Sequence, residues 1–287
     1  MDGRTLICSI NRDISERLQA EAELEQHRRH LEELVEQRTA SLQQANIQLL
    51  ALSRVKDEFV SNISHELRTP LTNLMFRAHL LKQQPEALAE HLGVIERETD
   101  RLHRMIEDLL QLSRLDQDQI DFMLQPLNLN PLIQRYLADR APLAEAKNLS
   151  LTFIESSNLP GVLGDPGLLE QALGVLLTNA MNYTPPGGSI TVKTLLRETV
   201  NDLSVGFSIS DSGPGIAAEE QPKLFERFFR GATGRKSRFN GTGLGLALAK
   251  EIIDRHRGKI EVTSRGIAGE GTNFTVWLLA ADVQVAI

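Results

Sequence analysis

The sequence predicts a multidomain protein of the α and α+β classes, in which a long helical part precedes an α/β layer domain. Three observations support this division. Residues 14–56 contain no proline or glycine, which is typical of one long helix. Residues 57–117 carry apolar side chains at spacings of three and four, the period of amphipathic helices. After residue 125, alternating segments are separated by helical ones, the pattern of an α/β domain.

Composition narrows the class of protein. A chain of 287 residues with 41% hydrophobic and 24% charged residues is typical of about two folded, water-soluble domains. The net charge of −7 disfavours general nucleic-acid binding. The single cysteine, Cys8, excludes an internal disulfide and fits a reducing compartment. No apolar run approaches the ~18 residues of a membrane span, so we expect a cytosolic or cytosol-facing protein, which a membrane tether could still have preceded.

The amino-terminal part is predicted to contain a strand and then a coiled coil. Residues 1–13 alternate as one strand that cannot fold alone. From residue 14 to residue 56, apolar residues follow a spacing of three and four, with one extra step at Arg38 that indicates a stutter. We expect a dimeric coiled coil here. A single amphipathic helix packed on a domain is the alternative.

Residues 57–122 are predicted to form a helical hairpin that turns at Gln83–Pro85. The second helix carries a 3/4-spaced stripe composed of Leu88, Leu92, Ile95, Leu102, Ile106 and Leu109. Two amphipathic helices make a thin core alone. Two copies of the hairpin would give an antiparallel, dimeric four-helix bundle.

The first helix of this hairpin is predicted to carry a reactive, solvent-exposed histidine, His65. Its apolar stripe includes Ile63 and Leu67, and His65 lies about 200° of helical rotation from both, so we expect an exposed imidazole. A neutral imidazole can attack a phosphoryl group, and the adjacent Glu66 can fix its tautomer and accept its proton. Thr69, one turn later, could hold a water molecule. Pro70 gives no N–H to the helix and loosens this turn.

The alternative for His65 is a solvated His–Glu pair on a helix surface. We read the other six histidines in that way (residues 27, 30, 79, 91, 103 and 256).

Residues 123–287 are predicted to form the α/β domain, after a break at Gln125–Asn128. The expected helices are Pro131–Ala146, Pro166–Tyr183 and Leu244–His256. The expected strands are Leu149–Ile154, Ile190–Leu196, Val205–Ile209, Ile260–Val262 and Phe274–Leu278.

Glycine-rich segments of this domain predict a nucleotide-binding site. Asp211 ends a strand and precedes Gly213 and Gly215, so its carboxylate could accept an amino N–H such as that of adenine. The Gly-Thr-Gly-Leu-Gly run 241–245 precedes a helix whose N–H groups could hold phosphates. Each segment alone is equally typical of an ordinary turn or a flexible loop.

Two further features fit the same site. The segment 230–238 is glycine-rich and basic, which suits a mobile lid facing a triphosphate, or a solvated loop. Asn179 could offer a carbonyl oxygen to Mg²⁺, or could be a helix cap or a surface residue. We expect the aromatic cluster in 225–229 to pack at the lid hinge.

Taken in order, these segments resemble the transmitter of a two-component sensor histidine kinase. HELRTPL (65–71) resembles the phosphoacceptor box, LLTNAMNYTP (176–185) the N box, and FERFFR (225–230) the F box. The three glycine boxes resemble DSGPG (211–215), GTGLGLALAK (241–250) and GEGTNF (269–274). The start of the chain resembles the last strand of a PAS domain, ending at Asp13-Ile14-Ser15.

The resemblance implies a dimeric phosphoacceptor bundle followed by a Bergerat-type ATPase fold, shared with type II topoisomerases and heat-shock chaperones. It implies autophosphorylation of His65 with Glu66 as base, and a role of Thr69 in dephosphorylating a response regulator. It implies ATP and Mg²⁺ as cofactors, with Asn179 at the metal. The implied nucleotide-binding residues are Asn179, Asn182, Tyr183, Asp211, Gly213, Gly215, Ile216, Phe228, Arg230, Gly241, Thr242, Gly243, Leu244, Gly245, Leu246 and Thr272.

The implied partners are a second copy of the chain, a response regulator receiver domain, and an upstream PAS or other sensor domain. Two positions depart from the family pattern. Val175 stands where a second asparagine is frequent, and Asn182 where a lysine is frequent. We therefore expect weaker Mg·ATP binding. The alternatives are an ATPase that drives conformational work, which Val175 disfavours because no carboxylate base stands there, and a non-catalytic dimeric scaffold.

Overall fold

The computed structural model describes residues 3–83, 87–116, 122–198, 203–232, 234 and 241–281. The helices are α1 (Gly3–Gln83), α2 (Leu88–Asp116), α3 (Leu129–Ala146), α4 (Pro166–Tyr183) and α5 (Gly245–Arg255). The strands are β1 (Gln125–Leu127), β2 (Ser150–Ile154), β3 (Val162–Gly164), β4 (Ser189–Glu198), β5 (Leu203–Asp211), β6 (Lys259–Ser264) and β7 (Thr272–Leu279).

The chain divides into two compact units, residues 1–63 and residues 64–287. The first unit consists of the first part of α1. Its leucines at coiled-coil spacing are exposed in the single chain, as an unpaired helix surface would be: Leu24, Leu31, Leu34, Leu42 and Leu49. The helix predicted over 14–56 is confirmed, and the dimeric coiled coil stays a prediction.

The strand predicted over residues 1–13 is wrong, because α1 begins at Gly3. A strand needs a neighbour to satisfy its backbone N–H and C=O groups, whereas a helix satisfies them internally. No strand of the described residues pairs with this segment, so its backbone groups are satisfied within the helix.

The second unit begins with the helical hairpin, formed by residues 64–83 of α1 and by α2. The predicted second helix is confirmed, and most of the predicted turn at Gln83–Pro85 lies outside the described residues. Met105, Leu112 and Leu115 of α2 are fully buried. Other apolar side chains of the two helices remain exposed in the single chain: Leu71, Met75, Phe76, Leu88, Leu92, Ile106 and Leu110.

The rest of the second unit is an α/β domain built on a five-stranded sheet. The strand order is β2-β4-β5-β7-β6, parallel between β2 and β4 and antiparallel elsewhere. The helices α3, α4 and α5 contact the sheet through β2, β5 and β6, and the buried apolar residues of helices and sheet form one core. Helix α4 has its predicted bounds, because Asp165 caps its first turn by accepting a hydrogen bond from the Leu168 N–H at 3.0 Å.

The predicted break at Gln125–Asn128 lies between the hairpin helix α2 and the α/β elements, but it contains a short strand that was not predicted. Residues 125–127 form β1, which pairs antiparallel with β3 in a separate two-stranded ribbon. Neither strand shows an alternating run long enough to be recognised in the sequence, because each has three residues.

The histidines do not all lie on the surface as expected. His27, His30, His79 and His103 are exposed, whereas His91 and His256 are buried. The ring of His256 is held between two backbone groups. Its Nδ1 lies 2.7 Å from the Ile252 carbonyl oxygen, and its Nε2 accepts a hydrogen bond from the Asp165 N–H at 2.9 Å.

Across the described ranges, no helix is both long enough and apolar enough to span a bilayer.

Candidate nucleotide and phosphoacceptor sites

A cavity of about 630 Å³ opens between α4, the loop after β5, the start of α5 and the hairpin helix α2. It brings together most of the predicted nucleotide-binding residues: Asn179, Asn182, Tyr183, Asp211, Gly215, Ile216, Arg230, Gly241, Thr242, Gly243, Gly245, Leu246 and Thr272. Segments that are distant in the sequence therefore meet at one surface, and its volume suits a nucleotide.

Asp211 lies at one end of this cavity, where β5 ends. Its Oδ1 accepts hydrogen bonds from the N–H groups of Gly213 at 2.8 Å and Thr272 at 3.3 Å. Burial raises the pKa of the Asp211 carboxyl, and these two backbone hydrogen bonds lower it in part. The carboxylate is thus fixed in place and can accept a further hydrogen bond from an amino group in the cavity.

The glycine at position 271 explains how the chain fits behind Asp211. Gly271 has φ of +69°, and a Cβ placed there would overlap the backbone carbonyl of Asp211. Only glycine allows this close approach of the two segments. The last glycine box therefore supports the Asp211 site from behind.

The opposite end of the cavity is built at the start of α5. Gly241, Thr242 and Gly243 lead into the helix, and Gly245 and Leu246 of its first turn line the cavity. The residue before the helix, Leu244, offers no side-chain cap, and its own N–H donates a hydrogen bond of 3.2 Å to the Thr242 hydroxyl. A helix start of this kind attracts anions through its N–H groups and its dipole, so this end suits phosphates.

Two residues of α2 also line the cavity, Arg104 and Asp108, and neither was predicted from the sequence. The Thr242 hydroxyl donates a hydrogen bond of 2.8 Å to Asp108 Oδ2, and Arg104 lies one turn before Asp108. Burial raises the pKa of Asp108, while Thr242 and Arg104 lower it in part. An acidic side chain thereby faces the end of the cavity that suits phosphates.

The hairpin is joined to the α/β domain by further contacts. The side-chain amides of Gln111 and Gln171 hydrogen-bond to each other, and Arg255 donates to the carbonyl oxygen of Leu115. These pairs join residues of separate segments, which no periodicity connects. Other lining residues that the sequence did not indicate are Tyr136, Arg140, Glu220 and Phe274.

The N-box residues lie along one wall. Asn179 and Asn182 line the cavity, and so does Val175, the residue just before the N box. Lys147, whose pKa is lowered by burial, donates a hydrogen bond of 2.8 Å to Asn182 Oδ1. Val175 packs beside Gly245, at the start of α5.

The described part of the predicted lid is held at Glu220. Glu220 Oε1 accepts a hydrogen bond of 2.7 Å from the Ala232 N–H, and Arg230 donates to the Gly234 carbonyl oxygen. Positions 233 and 235–240 lie outside the described residues. The expected hinge packing of the aromatic cluster is supported by Phe225, whose ring meets Phe274 edge to face with centroids 6.4 Å apart, while Phe229 lines the cavity.

Three predicted nucleotide-binding residues do not line the cavity. Gly213 lies behind Asp211, and Leu244 is fully buried. Phe228 adopts φ of +64°, and its N–H donates a hydrogen bond of 2.9 Å to the Gly243 carbonyl oxygen. All three support the cavity from outside it. The sequence alone does not distinguish such supporting residues from residues that line the cavity.

The predicted phosphoacceptor group lies on the hairpin and not in the cavity. His65 is exposed, as its helical phase predicted, and the Thr69 hydroxyl donates to the His65 carbonyl oxygen at 3.2 Å. Glu66 is half-buried and accepts a hydrogen bond of 3.1 Å from Arg101 of α2. The expected orientation of the His65 ring by Glu66 is therefore absent from the contacts of the described residues.

Comparison with known protein families identifies two domains. Residues 55–118 match the His Kinase A (phospho-acceptor) domain. Residues 164–282 match the histidine kinase-, DNA gyrase B- and HSP90-like ATPase domain. The matched ranges contain His65 in the first domain and the cavity residues of α4, β5 and α5 in the second.

Similar curated proteins are sensor kinases. The sensor histidine kinase GacS of Pseudomonas protegens is 33% identical over 284 residues, which are 95% of this chain and 31% of that protein. The adaptive-response sensory kinase SasA of Synechocystis is 35% identical over 238 residues, which are 80% of this chain and 61% of that protein. The chain thus spans about a third to three fifths of these relatives.

Solved structures share the fold. Histidine kinase ThkA, in complex with the response regulator protein TrrA, has a TM-score of 0.63 and 25% identity, over 78% of this chain and 61% of ThkA. Full-length ShkA in complex with AMPPNP has a TM-score of 0.55 and 28% identity, over 78% of this chain and 46% of ShkA. The ATPase fold expected after the helical hairpin is therefore confirmed, and its exact bounds stay a prediction.

Proposed function

The chain belongs to the two-component histidine kinases by both of its matched domains, and we propose that it autophosphorylates on His65 with ATP. The observation that carries the proposal is that one chain presents an exposed histidine on the same hairpin whose helix α2 lines the nucleotide cavity.

Binding of ATP would use both ends of the cavity. Asp211 would accept the amino N–H of adenine, while the start of α5 and Arg230 would hold the phosphates. Tyr183, Ile216 and Leu246 would provide apolar contacts. The AMPPNP bound to ShkA supports a nucleotide in a related cavity.

Magnesium would be shared between protein and nucleotide. No group of three His, Cys, Asp or Glu side chains able to hold a metal exists among the described residues. Asn179 lines the cavity with an amide oxygen, the hard ligand that Mg²⁺ accepts alongside phosphate oxygens. The residues present therefore fit an ion that takes most of its ligands from ATP and water, and the bound ion would neutralise phosphate charge.

The transfer step needs the α/β domain to bring ATP to the hairpin. A ring nitrogen of His65 would form a bond to the γ-phosphorus as the bond from that phosphorus to the β–γ bridging oxygen breaks. ADP would leave with the electron pair of the broken bond. The proton on the other ring nitrogen would pass to the Glu66 carboxylate.

The partners follow from the domains. Two hairpins would form a four-helix bundle, because each leaves apolar side chains exposed in the single chain. The phosphoryl group would pass to an aspartate of a response regulator, and Thr69 would assist its later hydrolysis. The ThkA complex with TrrA supports a receiver partner. An upstream PAS or other sensor domain would supply the signal.

The first test is transfer of label from γ-labelled ATP to the purified chain, beside His65→Gln. We expect acid-labile, alkali-stable label in the wild type and none in the variant. His103→Gln is the matched control, because His103 is an exposed histidine of the same hairpin, and it should label normally.

Two negative results would distinguish the alternative functions from the proposed one. An unlabelled wild type that still binds ATP with Mg²⁺ would contradict autophosphorylation, and Val175 and Asn182 would be the first residues to restore to Asn and Lys. A chain that shows no Mg·ATP dependence in a binding titration would be a scaffold.

A further inference from the structure

A chain of polar contacts crosses the interior of the helical hairpin next to His65. Asn73 donates a hydrogen bond of 3.2 Å to Glu98 Oε1. Glu98 Oε2 lies 3.9 Å from Arg101 Nη1, and Arg101 Nη2 lies 3.1 Å from Glu66 Oε2. The series ends at Glu66, the residue beside the phosphoacceptor histidine.

Burial gives these contacts their strength. The side chains of Arg101 and Glu98 are only 8% and 10% exposed, and that of Glu66 is 28% exposed. Charges that are removed from water interact more strongly with one another than surface pairs do. Arg101 is therefore the dominant charge near the Glu66 carboxylate, and both its partners carry a negative charge.

Two carboxylates share one guanidinium. Arg101 contacts Glu66 at hydrogen-bond distance, while its contact with Glu98 is longer. The Nε of Arg101 and the Oε2 of Glu98 have no hydrogen-bond partner among the described residues. The arrangement is thus incompletely satisfied, so rotation of the Arg101 side chain can bring the guanidinium closer to either carboxylate.

From this geometry we infer that Arg101 is a positioning residue that withholds the Glu66 carboxylate from His65, and that Glu98 competes for Arg101 and so releases it. The inference rests on the proposed function, because it concerns the base of that reaction. A carboxylate engaged by a guanidinium on α2 is turned away from the imidazole and accepts its proton poorly. When Arg101 turns to Glu98, Glu66 becomes available to take that proton.

Neutral variants of Arg101 and Glu98 should change the rate of autophosphorylation in opposite directions. Arg101→Gln frees Glu66 and should raise the initial rate of autophosphorylation about threefold to tenfold, a fraction of the roughly 10²- to 10⁴-fold that a general base supplies. Glu98→Gln leaves Arg101 to Glu66 alone and should lower the rate by a similar factor. Neither should change the KM for ATP, since none of the three residues lines the cavity.

The decisive measurement is the same pair of variants in a Glu66→Gln background. There both effects should disappear, because no carboxylate remains to be withheld. A general loss of hairpin stability would persist in that background. Arg97→Gln and Glu96→Gln are matched controls, since both residues are exposed on α2, and each should label like the wild type.

The results that would contradict this inference differ from those that would contradict the proposed function. An unlabelled wild type contradicts the kinase proposal itself. A labelled wild type whose two variants change in the same direction, or change equally with and without Glu66, overturns the role of Arg101. If Arg101→Gln fails to fold, Glu98→Gln decides alone, because it keeps the shape of the side chain: a lowered rate that depends on Glu66 supports the inference, and an unchanged rate contradicts it.

Discussion

The helical hairpin and the α/β domain bury polar side chains in different ways. In the α/β domain, Asp211 accepts two backbone hydrogen bonds, and both ring nitrogens of His256 meet backbone groups. In the hairpin, the buried side chains His91, Glu98 and Arg101 each have a polar atom with no hydrogen-bond partner among the described residues. In the α/β domain, such atoms belong to side chains that are only half-buried, such as Asn130 and Arg197.

This difference indicates which part of the protein keeps one geometry of its polar side chains and which part can change that geometry. A buried polar group with all partners in place specifies a single geometry, whereas a partly satisfied network costs less to rearrange. The α/β domain is therefore suited to binding one ligand shape. The hairpin is suited to switching between packings, as signalling elements do.

The largest expected effect is on the stability of the α/β domain. Gly271→Ala should destabilise it by about 3 kcal/mol, because the new Cβ would overlap the Asp211 carbonyl and the residue has positive φ. Urea unfolding followed by the fluorescence of Trp277, the single tryptophan, reports this domain. Gly269→Ala is the control, since Gly269 also has positive φ but has open space around it, and should cost about 1 kcal/mol. Equal losses would contradict the close packing behind Asp211.

The next effect is on nucleotide binding. Asp211→Asn should weaken ATP binding about 30-fold, in line with the loss of a charged hydrogen-bond acceptor worth about 2 kcal/mol. Isothermal titration with Mg·ATP measures it. Asp254→Asn removes the same charge from an exposed position on α5 and should bind ATP like the wild type. Unchanged affinity in Asp211→Asn would contradict the role of Asp211 in binding adenine.

A smaller effect is the response of the α/β domain to acid. Burial lowers the pKa of His256 below its ordinary value near 6.5. The unfolded chain therefore takes up a proton at a higher pH than the folded one, and the free energy of unfolding should decline as the pH falls below about 6.5. Unfolding of Trp277 at several pH values measures the slope. His103→Gln, which removes an exposed histidine, should keep the slope, and His256→Gln should flatten it.

The smallest effect concerns the contact between the two regions. Asp108→Asn removes a negative charge from the cavity end that suits phosphates, so ATP should bind about threefold tighter. The amide can still accept the Thr242 hydrogen bond. Glu107→Gln, an exposed neighbour on α2, is the control in the same titration. Weaker binding in Asp108→Asn would show that the carboxylate supports the nucleotide.

The sequence predicted the α/β domain better than it predicted the contacts of the hairpin. Alternating segments located the main strands, and the helical segment between two of them located α4, because burial of one face makes the sequence periodic. The glycine boxes marked the cavity, since close backbone approach excludes side chains, as at Gly271. Such signals are local in the chain.

The features that were missed depend on distant partners. Asp108 and Arg104 join the cavity only because α2 packs near α5, and Arg101 meets Glu66 across the hairpin. Each looks like an ordinary charge on a helix surface. The strand predicted over residues 1–13 failed for the related reason that alternation is meaningful only where a neighbouring strand exists.

The order of strands in the sheet has a consequence for the way the protein is made. The central strand β5 pairs with β4, which precedes it, and with β7, which is synthesised last of all the strands. Helix α1 and α2 contain local contacts and can form as soon as they leave the ribosome. Until β7 emerges, one edge of β5 is unpaired and can join another chain. During synthesis the sheet is therefore incomplete until β7 has emerged, and the edge of β5 is open to wrong pairing over that interval.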